Sequence, residues 1–253
     1  MNLFFGIKNE ILFSEIQIPI FTNRNPKIFK ANLYRCFPEN NSWTIQKIEK
    51  DKIKDQFYIL ENNDIKNNEA YFFANDDDFK DYDYLKLKDF NQLTNTVPAY
   101  RCNLKIKLRD GGFSSYQSEY PFNMTAKSGM IVSSVSSIAN KDADKNYIFF
   151  RNIYYEPIEK EYEGFFINIK SRKIIKKIKI ISNYSNFFEI SEELINPEIF
   201  FVTKNLLGIP MYISLKNKHL SFEHTNPLHE YILSKNKFTK VKNFKENINE
   251  IIN

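Results

Sequence analysis

Hydrophobic and polar residues alternate with a period of two along most of the chain, and short polar runs interrupt the alternation. Alternation of this kind places every second side chain on the same face of an extended strand, so it predicts β-strands. Phe, Tyr and Ile fill most of the apolar positions, as a pleated surface favours. The predicted strands cover residues 10–21, 30–37, 69–74, 100–108, 129–138, 146–155, 163–169, 172–181 and 198–203.

A helical period is convincing only near the C-terminus, in residues 227–238 and 240–252. The sequence therefore predicts a mainly β protein. Its expected architecture is an antiparallel β-sandwich, built as one large or two packed β-units, with a short helical C-terminal element.

An acidic and then polar stretch, residues 75–98, lies between two predicted strands and ends at Pro98. It predicts a long connection between an N-terminal β-rich unit, 1–98, and a C-terminal β-rich unit, 99–253, with a single domain as the alternative. Its aspartates superficially resemble the acidic motif with which nucleotide-sugar glycosyltransferases hold a metal. The chain before them lacks the alternating strand–helix units of such enzymes, so a solvated acidic loop is the preferred interpretation.

Two alternating runs flank Asn217 and Lys218. A two-residue turn at this point pairs Lys216 with His219 and keeps the aliphatic residues on one face, whereas a three-residue loop would pair apolar with polar positions. The sequence therefore predicts a hairpin. Its buried face is expected to contain Ile213, Leu215, Leu220 and Phe222.

All three histidines lie in one short stretch next to this hairpin. The predicted register turns His219 to the polar face and His224 to the apolar face. Pro227 favours a helix start, which would place His229 in a first helical turn, where the helix dipole disfavours imidazolium. His224, His229 and Glu230 would then share one small region and could bind zinc or a related divalent ion. The alternative is that the histidines cap backbone groups at the junction of hairpin and helix.

A second candidate site lies in residues 109–134, which hold three of the six glycines and many hydroxyl groups. Aromatic rings can cover the apolar faces of a sugar while amide, carboxylate and hydroxyl groups pair with its hydroxyls. This region therefore predicts a site for a polar ligand such as a glycan, and a serine-rich hairpin without a ligand is the alternative. The candidate residues are Gly112, Tyr116, Gln117, Glu119 and Tyr120.

The chain has 36 Lys+Arg against 31 Asp+Glu, which gives a net charge of +5. The densest basic run, residues 171–180, interleaves lysine with isoleucine in the manner of an edge strand with lysine outside. The stacking aromatics and arginine forks of a nucleic-acid surface are missing from this run, so the pattern argues against a nucleic-acid partner.

The N-terminus shows no signal-peptide pattern, and no apolar stretch approaches the length of a membrane span. Two cysteines, Cys36 and Cys102, cannot form a disulfide framework, and both are predicted to be free thiols. The sequence therefore predicts a soluble, cytoplasmic protein.

Three functional hypotheses follow. The first is a soluble protein that binds a polar ligand, such as a glycan, through residues 112–120. The second is a metal-dependent enzyme of the hydrolase type, in which a metal such as zinc at His224, His229 and Glu230 activates water. The third is a structural component of a larger assembly.

Overall fold

The computed structural model describes residues 2–20, 32–74, 87 and 102–253. Within these residues the N-terminal part of the chain forms the strands β1 (Asn2–Phe4), β2 (Leu12–Pro19), β3 (Asn32–Glu39), β4 (Ser42–Lys47), β5 (Ile53–Lys54), β6 (Phe57–Glu61), β7 (Ala70–Ala74), β8 (Asn103–Leu108), β9 (Phe113–Gln117) and β10 (Glu119–Pro121). The C-terminal part forms β11 (Val132–Ser134), β12 (Lys145–Arg151), β13 (Glu161–Asn168), β14 (Lys173–Ile181), β15 (Ser185–Ile190), β16 (Ile199–Thr203), β17 (Ile209–Lys216), β18 (His219–His224) and the helix α1 (Lys237–Ile252).

The strands form four small antiparallel sheets, arranged like the blades of a four-bladed propeller. Sheet 1 has the order β10-β1-β7-β3-β4, and sheet 2 has the order β5-β6-β2-β8-β9. Sheet 3 has the order β11-β16-β13-β14, and sheet 4 has the order β15-β12-β17-β18. The predicted mainly antiparallel β class with a short C-terminal helix is confirmed. The predicted sandwich is not clearly present.

Sheet 4 shows why two layers do not describe the molecule. The side chains of Tyr147 and Phe149 in β12 belong to the core that also contains residues of sheets 1 and 2. Ile148 and Phe150, which point to the opposite face, belong to a core shared with sheet 3. Both faces of β12 are covered, and its residues 147–150 are accordingly a continuous apolar run. A half-exposed strand such as β2 alternates between buried and less buried positions.

A buried arginine joins the two parts of the chain. Arg151, at the end of β12, is 1% exposed. Its guanidinium donates hydrogen bonds to the main-chain carbonyls of Asn67 and Glu69 and to Ser185 Oγ. The Ser185 hydroxyl in turn donates to the carbonyl of Gly6, at 2.7 Å. Charge-assisted hydrogen bonds of this kind are the stronger ones in proteins, so the contact between the parts is well anchored.

The predicted connection, residues 75–98, lies outside the described residues except for Leu87, whose amide donates to the carbonyl of Tyr155 at 2.9 Å. The acidic loop predicted there lies outside them as well. The division of the chain at residue 98 stays a prediction.

The predicted hairpin is confirmed. Strands β17 and β18 pair with Lys216 opposite His219 and with Ile213 opposite Phe222. Asn217, in the turn, has a φ of 54°, which asparagine tolerates better than most residues. The predicted register therefore fixes which side chains of β18 face the core.

The C-terminal helices differ from the prediction. Residues 240–252 are helical, as predicted, within α1. Residues 227–238 do not form a helix: they contain a 3-10 turn, Leu228–Glu230, followed by irregular chain up to the start of α1. His229 therefore lies in a 3-10 turn and not at the start of an α-helix, and the dipole argument for its neutral form does not apply.

The predicted free thiols are confirmed, since Cys36 and Cys102 are both free and buried. Burial raises the pKa of each thiol, to about 12 for Cys36. Among the residues that the structure describes, no helix has both the length and the apolar character needed to cross a membrane.

Candidate functional site

The histidines separate as their strand register predicts. His219, beside the hairpin turn, is exposed, whereas His224, at the end of β18, is half-buried. His224 Nδ1 lies 3.0 Å from the carbonyl oxygen of Thr225, and its ring makes an edge contact with the ring of Tyr116 at 5.0 Å between centroids. The orientation of His224 is thus set by the chain that follows it and by β9.

Buried hydroxyl groups hold the end of this hairpin in place. Ser133 Oγ lies 2.7 Å from Thr225 Oγ1 and 2.7 Å from Tyr212 Oη. All three residues are buried, so these hydrogen bonds satisfy groups that would otherwise be costly to remove from water. They link β11, β17 and the residue after β18, and so they fix the direction in which the chain continues towards His229.

The predicted metal centre is not found. Glu230 Oε1 lies 2.9 Å from His229 Nε2, so the carboxylate pairs with its neighbour, and His224 Nε2 is 3.9 Å from Glu223 Oε1. Within the described ranges, no three His, Cys, Asp or Glu side chains are grouped closely enough to hold a metal ion. The structure thus brings Glu230 next to His229 but does not group both with His224 as three ligands of one ion.

The candidate polar-ligand residues are divided among different surroundings. Tyr120 is 0% exposed, because the pairing of β10 with β1 places its ring in the core. Gln117 is exposed and lies on the opposite face of β9 from Tyr116. Gly112 packs against the hairpin turn, where its amide donates to the carbonyl of Lys218 at 2.7 Å. These residues do not form the continuous sugar-binding surface that the sequence predicted.

The remaining candidates of both predicted sites meet in one pocket. We call it the junction pocket, because residues from both parts of the chain line it, and its volume is about 360 Å³. The polar and aromatic side chains that line it are Tyr116, Glu119, His224, His229 and Lys245. Apolar side chains cover much of the remainder, among them Met124, Met130, Ile209, Leu228 and Val241.

Lys245 supplies the cationic group of the junction pocket. It lies on α1, half-buried, and its Nζ donates to the carbonyl of Met130 at 2.7 Å. Desolvation lowers the pKa of this ammonium group from its ordinary value. No carboxylate of the described chain lies within ion-pair distance of Lys245 Nζ. Lys245 and Val241 were not among the site residues predicted from the sequence, although their spacing of four residues in the predicted helix 240–252 places them on one face.

Tyr116 is the aromatic wall of the pocket. Its ring packs edge-on against Phe222, at 5.5 Å between centroids, and against His224. Burial raises the pKa of the Tyr116 phenol, and the carboxylates of Glu223 and Glu119 raise it further. The phenol therefore stays protonated throughout the physiological range and can donate a hydrogen bond.

A second cavity, of about 440 Å³, lies on the face of sheet 2 and contains none of the predicted site residues. The aromatic ring that lines it, that of Phe13, has the guanidinium of Arg109 over it, 5.8 Å from the ring centroid. Because the chain's own cation covers this ring face, the cavity is less suited to stacking a ligand than the junction pocket is.

Comparison with known proteins gives no family. No protein-family model matches this chain, and no match was found among the curated proteins or the solved structures.

Proposed function

We propose that this protein binds a small organic ligand in the junction pocket, and that the ligand is a sugar or a similar polyhydroxylated ring. The observation that carries the proposal is the convergence of Tyr116, Glu119, His224, His229 and Lys245 on one cavity. These side chains come from strands and a helix that are far apart in sequence, so only the fold brings them together.

The size and lining of the junction pocket support a small-molecule ligand. Ligand sites in proteins are concave, have volumes of roughly 300–1,000 Å³, and combine a mostly apolar wall with a few polar groups. The junction pocket, at about 360 Å³, lies at the small end of this range. It suits a molecule of one or two rings better than an extended polymer.

The chemistry of the lining supports a ligand with both an apolar face and hydroxyl groups. Met124 and Ile209 offer an apolar wall for the C–H face of a ring. Lys245 and the Tyr116 phenol can donate hydrogen bonds to ligand oxygens, and the carboxylate of Glu119 can accept from ligand hydroxyls. A half-buried ammonium also favours ligands that carry a carboxylate, so acidic sugars are expected to bind more tightly than neutral ones.

The test uses two neighbouring positions of α1. Val241 lines the junction pocket, whereas Lys242 is exposed on the same helix. Binding of a panel of neutral and acidic monosaccharides and disaccharides is measured by ligand-observed NMR for the wild type, Val241→Trp and Lys242→Trp. We expect at least one sugar to bind the wild type and Lys242→Trp, and we expect Val241→Trp to lose it because the larger ring fills the cavity.

A second variant tests the junction pocket independently, in case Val241→Trp does not fold. Lys245→Met keeps much of the side-chain length and removes the charge, so it should lower the affinity for acidic sugars about 10-fold or more, since a hydrogen bond to a charged group contributes about 1.5–3 kcal/mol. The proposal fails if no sugar binds the wild type, or if binding is the same in all three variants.

A further inference from the structure

The segment between the 3-10 turn and the first turns of α1 exposes three large apolar side chains. Tyr231 is 57% exposed, Leu233 is 101% exposed and Phe238 is 65% exposed. Single exposed apolar residues are common on protein surfaces, but a group of them marks a contact surface. Leu233 is as accessible as in an extended peptide, so its side chain projects from the surface and is not covered by the protein.

Local hydrogen bonds hold the base of this projection. The amide of Ser234 donates to the carbonyl of Ile232 at 3.0 Å, and the amide of Lys237 donates to the carbonyl of Ser234 at 3.1 Å. The chain therefore turns tightly after Leu233 and enters α1. The ring of Phe238 lies against that of His229, with 5.2 Å between centroids, so one edge of Phe238 is held while most of the ring stays exposed.

The same segment is strongly basic. Residues 231–240 contain three lysines and no aspartate or glutamate. Lys235 and Lys240 are exposed, and Lys237 Nζ lies 5.4 Å from the ring centroid of Phe238. None of these three lysines is within ion-pair distance of a carboxylate in the part of the chain that the structure describes. By contrast, Lys177 and Lys179 of the basic strand β14 pair with glutamates of β13.

We propose that residues 231–240, the basic apolar segment, dock onto an anionic lipid surface. Lysines near such a surface are attracted to acidic headgroups, and apolar side chains enter the boundary between headgroups and acyl chains. The basic apolar segment presents both features on one projecting turn. The proposal concerns association with the surface only, and it does not depend on the ligand of the junction pocket.

A lipid surface fits this segment better than the other polyanions do. A bilayer accepts projecting side chains without a complementary cavity, whereas a protein partner must supply a pocket for Leu233. A nucleic acid would use the lysines and stack bases on an aromatic face, but it would gain nothing from Leu233. The face of Phe238 is in addition partly taken by Lys237 and His229.

The experiment measures sedimentation of the full chain with vesicles. One set of vesicles contains phosphatidylcholine alone, and the other contains phosphatidylcholine with about 30% phosphatidylserine, a composition rich in anionic headgroups. The apolar variant is Leu233→Ser with Phe238→Ser, and its matched control is Ile175→Ser, another exposed apolar residue, at 45% exposure on β14. Circular dichroism of each variant checks that the fold is retained.

The charge variant changes Lys235, Lys237 and Lys240 to Gln. Each lysine near an anionic surface changes the partition coefficient about fivefold, so we expect the triple change to weaken binding roughly 100-fold. The matched control replaces the same number of lysines on β14, at Lys173, Lys176 and Lys177, and should bind as the wild type does.

Binding to the anionic vesicles that is lost in both the apolar and the charge variants, and kept in both controls, would support the proposal. It would be overturned if the wild type does not sediment with anionic vesicles. It would also be overturned if only the charge variant loses binding and single-stranded DNA competes with the vesicles, because the segment would then be a general polyanion site.

Discussion

Replacing Arg151 by Met tests whether the buried guanidinium holds the two parts of the chain together. The change removes the donors of the main-chain carbonyls of Asn67 and Glu69 and of Ser185 Oγ. The Asn67 carbonyl keeps the amide of Ser185 as a donor, at 2.7 Å, so the carbonyl of the buried Glu69 is the acceptor left without one. A buried acceptor left without a donor costs about 1–3 kcal/mol. Part of this loss is offset, because the substitution also removes a buried cation. The desolvation of that cation is unfavourable and lowers the pKa of Arg151 to about 10.

We therefore expect Arg151→Met to lower the free energy of unfolding by about 2 kcal/mol. For a chain of this size such a loss lowers the melting temperature by roughly 4–8 °C, measured by differential scanning calorimetry. The matched control is Arg172→Met. Arg172 is exposed and pairs with Glu250 at 2.9 Å, and surface pairs contribute about 0–1 kcal/mol. If Arg151→Met melts within about 2 °C of the wild type, the Glu69 carbonyl has found another donor and the reasoning is refuted.

Three further predictions concern thiol reactivity, the pH dependence of stability and a glycine. Because burial raises the pKa of the Cys36 and Cys102 thiols, neither should react with a disulfide reagent at pH 8 until the chain unfolds, and rapid reaction of the native protein would contradict this. Burial raises the pKa of Cys36 from the ordinary 9.0 to about 12, so within this pH window the folded chain keeps the thiol proton and the unfolded chain loses it. The free energy of unfolding should therefore fall as the pH rises through the window. Urea melts should show a less steep fall for Cys36→Ala. Gly208→Ala should lower the free energy of unfolding by about 1–3 kcal/mol in the same melts, because its Cβ would lie 2.6 Å from the carbonyl oxygen of Arg151. The control Gly112→Ala should lower it less, because the nearest atom to its Cβ would be 3.2 Å away.

The parts of the fold that were predictable are those that local patterns determine. The hairpin of β17 and β18 follows from two alternating runs and one two-residue turn, and a shift of one residue would have placed Phe222 on the solvent side. The exposed position of His219 followed from the same register. Such features need no knowledge of distant strands.

Features that depend on distant partners were not predictable. Nothing near Tyr120 shows that β10 will pair with β1 and turn the ring into the core. The helical pattern of 227–238 did not produce a helix, because Tyr231 and Leu233 find no core to pack against and remain exposed. Helices of this length depend on such packing more than on intrinsic propensity.

The candidate site was predicted in fragments. Tyr116 and Glu119 were assigned to one site and His224 and His229 to another, and the structure brings all four to the junction pocket. Strand alternation says which way a side chain points within its own sheet but not which sheet it will meet. The metal hypothesis assumed that neighbours in sequence would also converge on one ion, whereas no group of three such side chains is found in the described part of the chain.

The burial of both faces of β12 in the folded protein matters while the chain is being synthesised. Its residues 146–150 carry no charge and favour β-structure, which is the composition of segments that aggregate when exposed. Both of its hydrogen-bonding neighbours, β15 and β17, come later in the chain. A growing polypeptide therefore leaves at least one edge of this strand unpaired until residue 216 has been made, and that edge is open to neighbouring nascent chains for that interval.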